Sequence, residues 1–178
     1  MAEAPVVRPF TWDQWPALWQ LRRLQLAEHG IMAEGPPPAP DLTSPYEPDY
    51  HLLQTVYLRG RGGFWIAWLG GEPVGHTGGQ DLGSHIELRR MYVRPGRRRR
   101  GVGLALVQTL IAHCQAQGVS RILLWTAGGG PGRYLYARCG FAVIAWRDRT
   151  GPQGLSVGPD EVRMERMLDQ PRQQPDVG

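Results

Sequence analysis

A chain of 178 residues, 42% of them hydrophobic, has the size and composition of one globular domain with its own core, which excludes a disordered segment. No apolar stretch approaches the roughly 20 residues needed to cross a bilayer. Residues Met1–Phe10 carry Pro5, Arg8 and Pro9 and lack the apolar run of a signal peptide, so the expected compartment is the cytoplasm. The two cysteines, Cys114 and Cys139, form no C-x-x-C pair, which argues against a disulfide scaffold or zinc ribbon, and no metal is expected. The formal charge is +4, and the positive excess is concentrated in Arg89, Arg90, Arg94 and the run Arg97 to Arg100. Such a patch either faces an anion or is a solvated face.

In chain order, Val6–Phe10 reads as an opening strand. Thr11 with Gln14 forms a capping box for a helix over Trp12–Glu28, stopped by Gly30. The prolines between Ala33 and Pro48 exclude any regular element, so this is a long loop. A short second helix follows over Tyr50–Leu58. Phe64–Leu69 and Pro73–Asp81 are strands joined by a Gly70-Gly71 hairpin turn. In the next strand, His85–Val93, Ile86 and Leu88 alternate in one phase and Met91 and Val93 in the other. A β-bulge near Arg89 and Arg90 reconciles them.

Arg100–Gln117 is an amphipathic helix with Leu106, Leu110 and Cys114 along one face, ended by Gly118. A buried strand, Arg121–Trp125, leads through the glycine-rich turn Ala127–Gly132 into a brief helix, Arg133–Arg138. Strands Phe141–Arg147 and Val162–Met167 complete one domain over residues 1–168, and residues 169–178 form a polar tail expected to fray.

The chemistry concentrates in Met91-Tyr-Val-Arg-Pro-Gly-Arg-Arg-Arg-Arg-Gly-Val-Gly103. A strand ends, a basic loop follows, and a helix begins. The first turn of a helix exposes unpaired N–H groups and the positive end of its dipole, and Gly101 and Gly103 let an anion approach the backbone. Arg98-x-x-Gly101-x-Gly103 is therefore a phosphate or pyrophosphate site. It is not a dinucleotide fingerprint, because Leu106 stands where a third glycine is required. Nor is it a P-loop, because no Gly-Lys-Ser/Thr is present.

These residues resemble the cofactor motif of the GNAT superfamily of N-acetyltransferases. Tyr136-Ala-Arg-Cys-Gly140-Phe141 resembles that family's second signature, Tyr-x-x-x-Gly-Phe, and the likeness runs over about residues 6–168. The resemblance implies an α/β fold (a mixed, mostly antiparallel sheet flanked by helices) whose fourth and fifth strands splay apart around acetyl-CoA. On this chain, Met91 and Val93 would pair with the pantetheine arm through their backbones. The N–H groups of Arg99, Arg100, Gly101, Val102, Gly103 and Leu104, with Arg98, would hold the pyrophosphate. Tyr136 takes the position of the usual general acid, and Glu87, six residues before Val93, that of a general base. His85 lies two residues earlier on the same face and is a second candidate base or relay. The family's usual Asn and Ala are replaced by Gly129 and Gly132.

His85-Ile86-Glu87 imitates the H-x-E of zinc deaminases, but the Pro-Cys-x-x-Cys partner is missing. Trp12, Trp15 and Trp19 at helical spacing read as core packing or as a wall of the acceptor pocket. Asp41, Glu47 and Asp49 either attract a cation or keep their loop soluble. The reading is acetyl transfer from acetyl-CoA to a primary amine, on a small molecule or a protein, by direct attack in a ternary complex, with a homodimer as one possible assembly. The alternative is a non-catalytic acyl-CoA sensor of the same fold. Nucleic acid is not an expected partner, because the arginines cluster at one loop instead of interleaving with aromatics over a surface. No membrane partner is expected either.

Overall fold

The computed structural model describes residues 3–39, 50, 52–150 and 158–169. Seven strands form one sheet in the order β1-β2-β3-β4-β5-β7-β6. They are β1 (Val6–Pro9), β2 (Gly63–Leu69), β3 (Glu72–Asp81), β4 (Ile86–Val93), β5 (Arg121–Ala127), β6 (Ala142–Arg147) and β7 (Glu161–Met167). Every neighbouring pair is antiparallel except β4 and β5. The helices are α1 (Trp15–Glu28), α2 (Leu53–Val56), α3 (Val102–Ala116) and α4 (Pro131–Arg138).

The β2–β3 hairpin turns on Gly70 and Gly71, at φ of 56° and 80°, the left-handed pair that a two-residue turn requires. The first expected helix divides in two. Trp12–Gln14 form a 3-10 turn, and the α-helix proper starts at Trp15, with Pro16 in its first turn where no N–H is needed. The expected second helix is represented by α2. The acidic positions Asp41, Glu47 and Asp49 lie outside the described residues, as does the tail from residue 170 onwards.

The two faces of the sheet are covered by different pairs of helices. One face packs on α3 and α4, where Leu106 and Leu110 meet Ile86, Ile122, Leu124 and Val162, all with almost no exposure. The other face packs on α1 and α2 and is rich in rings, including Trp15, Tyr50, Tyr57 and Phe64. Each such side chain taken from water stabilises the fold by roughly 1.5–3 kcal/mol. Of the three α1-region tryptophans, Trp15 is in this core and donates from Nε1 to the carbonyl of Pro38 at 2.8 Å, while Trp12 is exposed.

The expected bulge is present. Gly78 faces Arg89 and His76 faces Tyr92, so Arg90 and Met91 together stand opposite the single residue Thr77. Arg90 takes a left-handed φ of 55°, a conformation that non-glycine residues enter at some cost. β4 and β5 pair only at Ile86↔Ile122 and Glu87↔Leu123. Beyond Glu87 the two strands diverge, which opens a gap in the middle of the sheet. Among the described residues no helix is long and apolar enough to cross a membrane.

Candidate active site

The gap has its apex at Glu87 and its mouth at Val93, where the basic loop begins. Arg94 N–H donates to the Val74 carbonyl on β3 at 3.0 Å. Successive peptide groups of a strand point in opposite directions, so the N–H and C=O of Val93 face away from β3 and into the gap. By the same alternation Met91 faces the gap as well.

The loop at the mouth is braced from within. Arg98 donates from Nε to the Val93 carbonyl at 2.8 Å and from Nη2 to both oxygens of Glu28 at 2.9 and 2.7 Å. Tyr92 donates its hydroxyl to the same Glu28 carboxylate at 2.8 Å. Arg98 thus ties the end of α1 to the end of β4. The side chain of Arg98 is engaged within the protein, and the Val93 carbonyl already has a donor, which leaves the Val93 N–H facing the gap.

The α3 helix begins at Val102, later than the sequence suggests. Arg99 and Gly101 both take left-handed conformations, at φ of 58° and 78°, and a sequence-based helix start at Arg100 does not anticipate that. Ala105 N–H donates to the Gly101 carbonyl as the first helical bond. The N–H groups of Val102, Gly103 and Leu104 therefore precede the hydrogen-bonded part of the helix. A Cβ at Gly103 would stand 3.0 Å from Leu135 Cδ2, so the glycine lets the start of α3 pack closely on α4. Arg99 and Arg100 line a concavity next to the loop together with Arg97 and Glu72. Arg97 is paired with Glu72 at 2.9 Å, whereas Arg99 and Arg100 make no ion pair among the described residues. The free N–H groups and glycines at the start of α3 form a cradle that fits the diphosphate of a coenzyme A molecule.

At the apex, Glu87 is buried at 8% exposure and receives two hydrogen bonds from Arg163 of β7, at 2.8 and 2.9 Å. The pair spans β5. The Arg163 guanidinium also lies over the Trp125 ring, 5.3 Å from its centroid. His85 stands beside Glu87, with Nε2 3.4 Å from Oε2, while its Nδ1 lies 2.9 Å from Ser84 Oγ. His85 Nε2 is buried and, apart from this contact with Glu87, makes no hydrogen bond among the described residues. Arg163 was not anticipated from the sequence. The alternation Glu161, Arg163, Glu165 marks a charged face of β7 but not its partner.

Tyr136 lies on α4, buried at 4% exposure, with its ring edge-on to Phe141 at 5.8 Å. Burial pushes its phenol well above the ordinary value, and the nearby Cys139 adds to the rise. The hydroxyl holds its proton and makes no hydrogen bond among the described residues. Gly132, one turn earlier, separates this ring from β5. A Cβ there would come 2.9 Å from Thr126 Oγ1 and 3.4 Å from Tyr136 Cε2. The departure from the family's alanine therefore follows from Thr126, which occupies the space a methyl group would need. At Gly129 a Cβ would meet nothing within 4 Å.

A sheet split between its fourth and fifth strands, with an anion cradle at the mouth of the split, defines an acyl-CoA-dependent transferase fold. Residues 15–141 match the family model for the acetyltransferase (GNAT) family. The chain belongs to that family and is an acetyl-CoA-dependent N-acetyltransferase. It is 34% identical over 105 residues to the N-acetyltransferase YsnE of Bacillus subtilis, covering 56% of this chain and 69% of the relative. Among solved structures it resembles a GNAT acetyltransferase of Staphylococcus aureus with a TM-score of 0.70 and 22% identity, over 93% of this chain and 100% of the other. It also resembles the acetyltransferase yncA of Salmonella typhimurium, solved with acetyl-CoA, with a TM-score of 0.70 and 17% identity, over 99% of this chain and 100% of the other.

Proposed function

We propose that the chain acetylates a primary amine by direct attack in a ternary complex, with Glu87, Val93 and Tyr136 as its reacting groups. When bound, acetyl-CoA supplies a thioester whose acetyl carbon the amine attacks. The observation that carries this reading is the gap itself, with a buried carboxylate at its apex, a backbone N–H facing into it at Val93, and the anion cradle at its mouth.

Each residue has a physical task. The backbone edge at Met91 and Val93 aligns the pantetheine arm, and the N–H groups of residues 99–104 hold the diphosphate. Arg98 acts indirectly, by fixing the loop to Glu28. The Val93 N–H donates to the oxygen that gains charge during attack. Glu87 receives the amine's proton, directly or through water, with His85 beside it as a relay. Both Glu87 oxygens accept from Arg163, which fixes the carboxylate at the apex of the gap. Tyr136, held neutral by burial, protonates the departing thiolate.

The test is a screen of small amines, amino acids and peptide N-termini that follows release of free CoA from acetyl-CoA. Turnover with an amine that disappears in Glu87→Gln supports the reading. CoA binding without turnover on any amine class would instead identify a sensor.

A further inference from the structure

The bulge on β4 is held by side chains of β3. The bulge turns the Arg90 carbonyl toward the side chain of His76, while Arg89 keeps its place opposite Gly78. Thr77 Oγ1 donates to the Arg89 carbonyl at 3.3 Å, and His76 Nδ1 lies 2.7 Å from the Arg90 carbonyl. His76 has no exposure at all and sits among rings. It is stacked on Phe64 at 5.5 Å, edge-on to Tyr50 at 5.5 Å and tilted against Tyr92 at 5.7 Å.

The tautomer follows from the partners. A carbonyl only accepts, so Nδ1 carries the proton and Nε2 presents a lone pair. The Tyr50 hydroxyl is 3.4 Å from that Nε2 and 3.3 Å from Gln25 Oε1 on α1. Burial pushes His76 down to about 3, with the positive charges of Arg22 and Arg90 acting in the same direction against the hydrogen bond to Arg90. The ring is therefore neutral throughout the physiological range. The Tyr50 hydroxyl carries one proton and both neighbours are acceptors, so it donates to one of them at a time, and the chain that reaches the bulge runs from Tyr50 through His76.

We infer that His76, as the neutral Nδ1–H imidazole, is a positioning residue for acetyl transfer: by fixing the Arg90 carbonyl inward it turns the backbone edge of Met91 and Val93 toward the cofactor. The inference rests on the proposed seating of the cofactor along β4. Arg90 would otherwise relax from its left-handed conformation, the bulge would shift along the strand, and a shift of one residue points the wrong peptide groups into the gap. Tyr50 faces the lone-pair side of the ring, its hydroxyl 3.4 Å from Nε2.

Two variants separate this role from simple packing. Asparagine places an amide N–H close to where Nδ1–H sits, whereas leucine fills the space without a donor. His76→Leu is expected to weaken CoA binding, read by calorimetry, and raise the KM for acetyl-CoA by at least about ten-fold, while His76→Asn stays within about three-fold of the parent. Equal losses in both variants, or none in the leucine variant, would overturn the positioning role. If His76→Leu does not fold, 15N NMR of the unaltered protein still decides. The expected signature is a protonated Nδ1 and a bare Nε2, unchanged between about pH 5 and 8, and an Nε2–H tautomer or a titrating ring would overturn the assignment. Absence of CoA binding by the parent protein would instead point to failure of the proposed function.

Discussion

Glu87 and Arg163 meet through two hydrogen bonds of 2.8 and 2.9 Å, across β5, at the last residue pair before β4 and β5 separate. The ion pair pins the closed end of the gap and holds the proposed base there.

Both partners are mostly buried, so removing one leaves the other as an uncompensated charge. Arg163→Met is expected to destabilise the fold by about 3 kcal/mol, a drop in Tm of roughly 6–12 °C for a domain of this size. Glu87→Gln is expected to lower turnover about 100-fold below saturation. The double replacement Glu87→Leu with Arg163→Met should recover much of the stability, because an apolar pair needs no charge compensation, while turnover stays low. Thermal melts and initial rates on the set separate the structural role from the chemical one. If the double variant regained turnover together with stability, Glu87 would not be the base.

A Cβ at Gly103 would stand 3.0 Å from Leu135 Cδ2 and 3.8 Å from Val93 Cγ2. Valine there pushes its methyl groups against Leu135 and over the N–H groups that precede the helical ladder. Gly103→Val is expected to weaken CoA binding by at least about ten-fold, measured by calorimetry, with an unchanged far-ultraviolet circular dichroism spectrum. Gly103→Ala should be intermediate, since Leu135 is a flexible neighbour at 3.0 Å. Unchanged affinity in a folded valine variant would move the diphosphate elsewhere.

The clasp between Glu28 and Arg98 makes stability depend on pH. Burial alone would raise the Glu28 carboxyl, but the hydrogen bonds from Arg98 and Tyr92 outweigh it and hold the group below its ordinary value. A carboxyl lowered on folding contributes stability that is fully present above its unfolded value, about 4.3, and that is lost as the pH falls through the folded value. The difference in Tm between the parent and Glu28→Gln should therefore be largest near neutrality and shrink below about pH 4. A constant difference across that range would contradict this account of the clasp.

The element order, the hairpin at Gly70-Gly71, the bulge and the cradle were legible because each is written in local pattern: alternation, a phase change, a glycine motif after a strand. The long-range ion pairs were not. Arg163 and Glu87 are 76 residues apart, and Arg98 and Glu28 are 70 apart, so alternation gives each a face without giving it a partner. The start of α3 was misjudged because Arg99, a residue with a Cβ, takes a left-handed φ that its type disfavours. His76 carried a faint signal, a lone imidazole in Pro73-Val-Gly-His-Thr-Gly78 at a position destined for the core. Gly132 read as a departure from the family until Thr126 was seen beside it.

Tyr136 provides the last test. A free thiol has a pKa of about 8.5, so the CoA thiolate leaves tolerably without help, and an acid speeds its departure without being indispensable. The Tyr136 phenol carries a proton and makes no hydrogen bond among the described residues, so its hydroxyl is free to donate to the sulfur. Its ring packs on Phe141, so Tyr136→Phe keeps the packing and removes only the hydroxyl. The expected result is a loss in turnover of roughly 10- to 1000-fold with little change in acetyl-CoA affinity. If the hydroxyl instead holds the sulfur, affinity weakens and turnover at saturation survives. If the ring only packs, both constants stay at the parent values. Measuring both on this one variant distinguishes the three outcomes, and full turnover would remove the acid assignment while leaving the acetyltransferase itself in place.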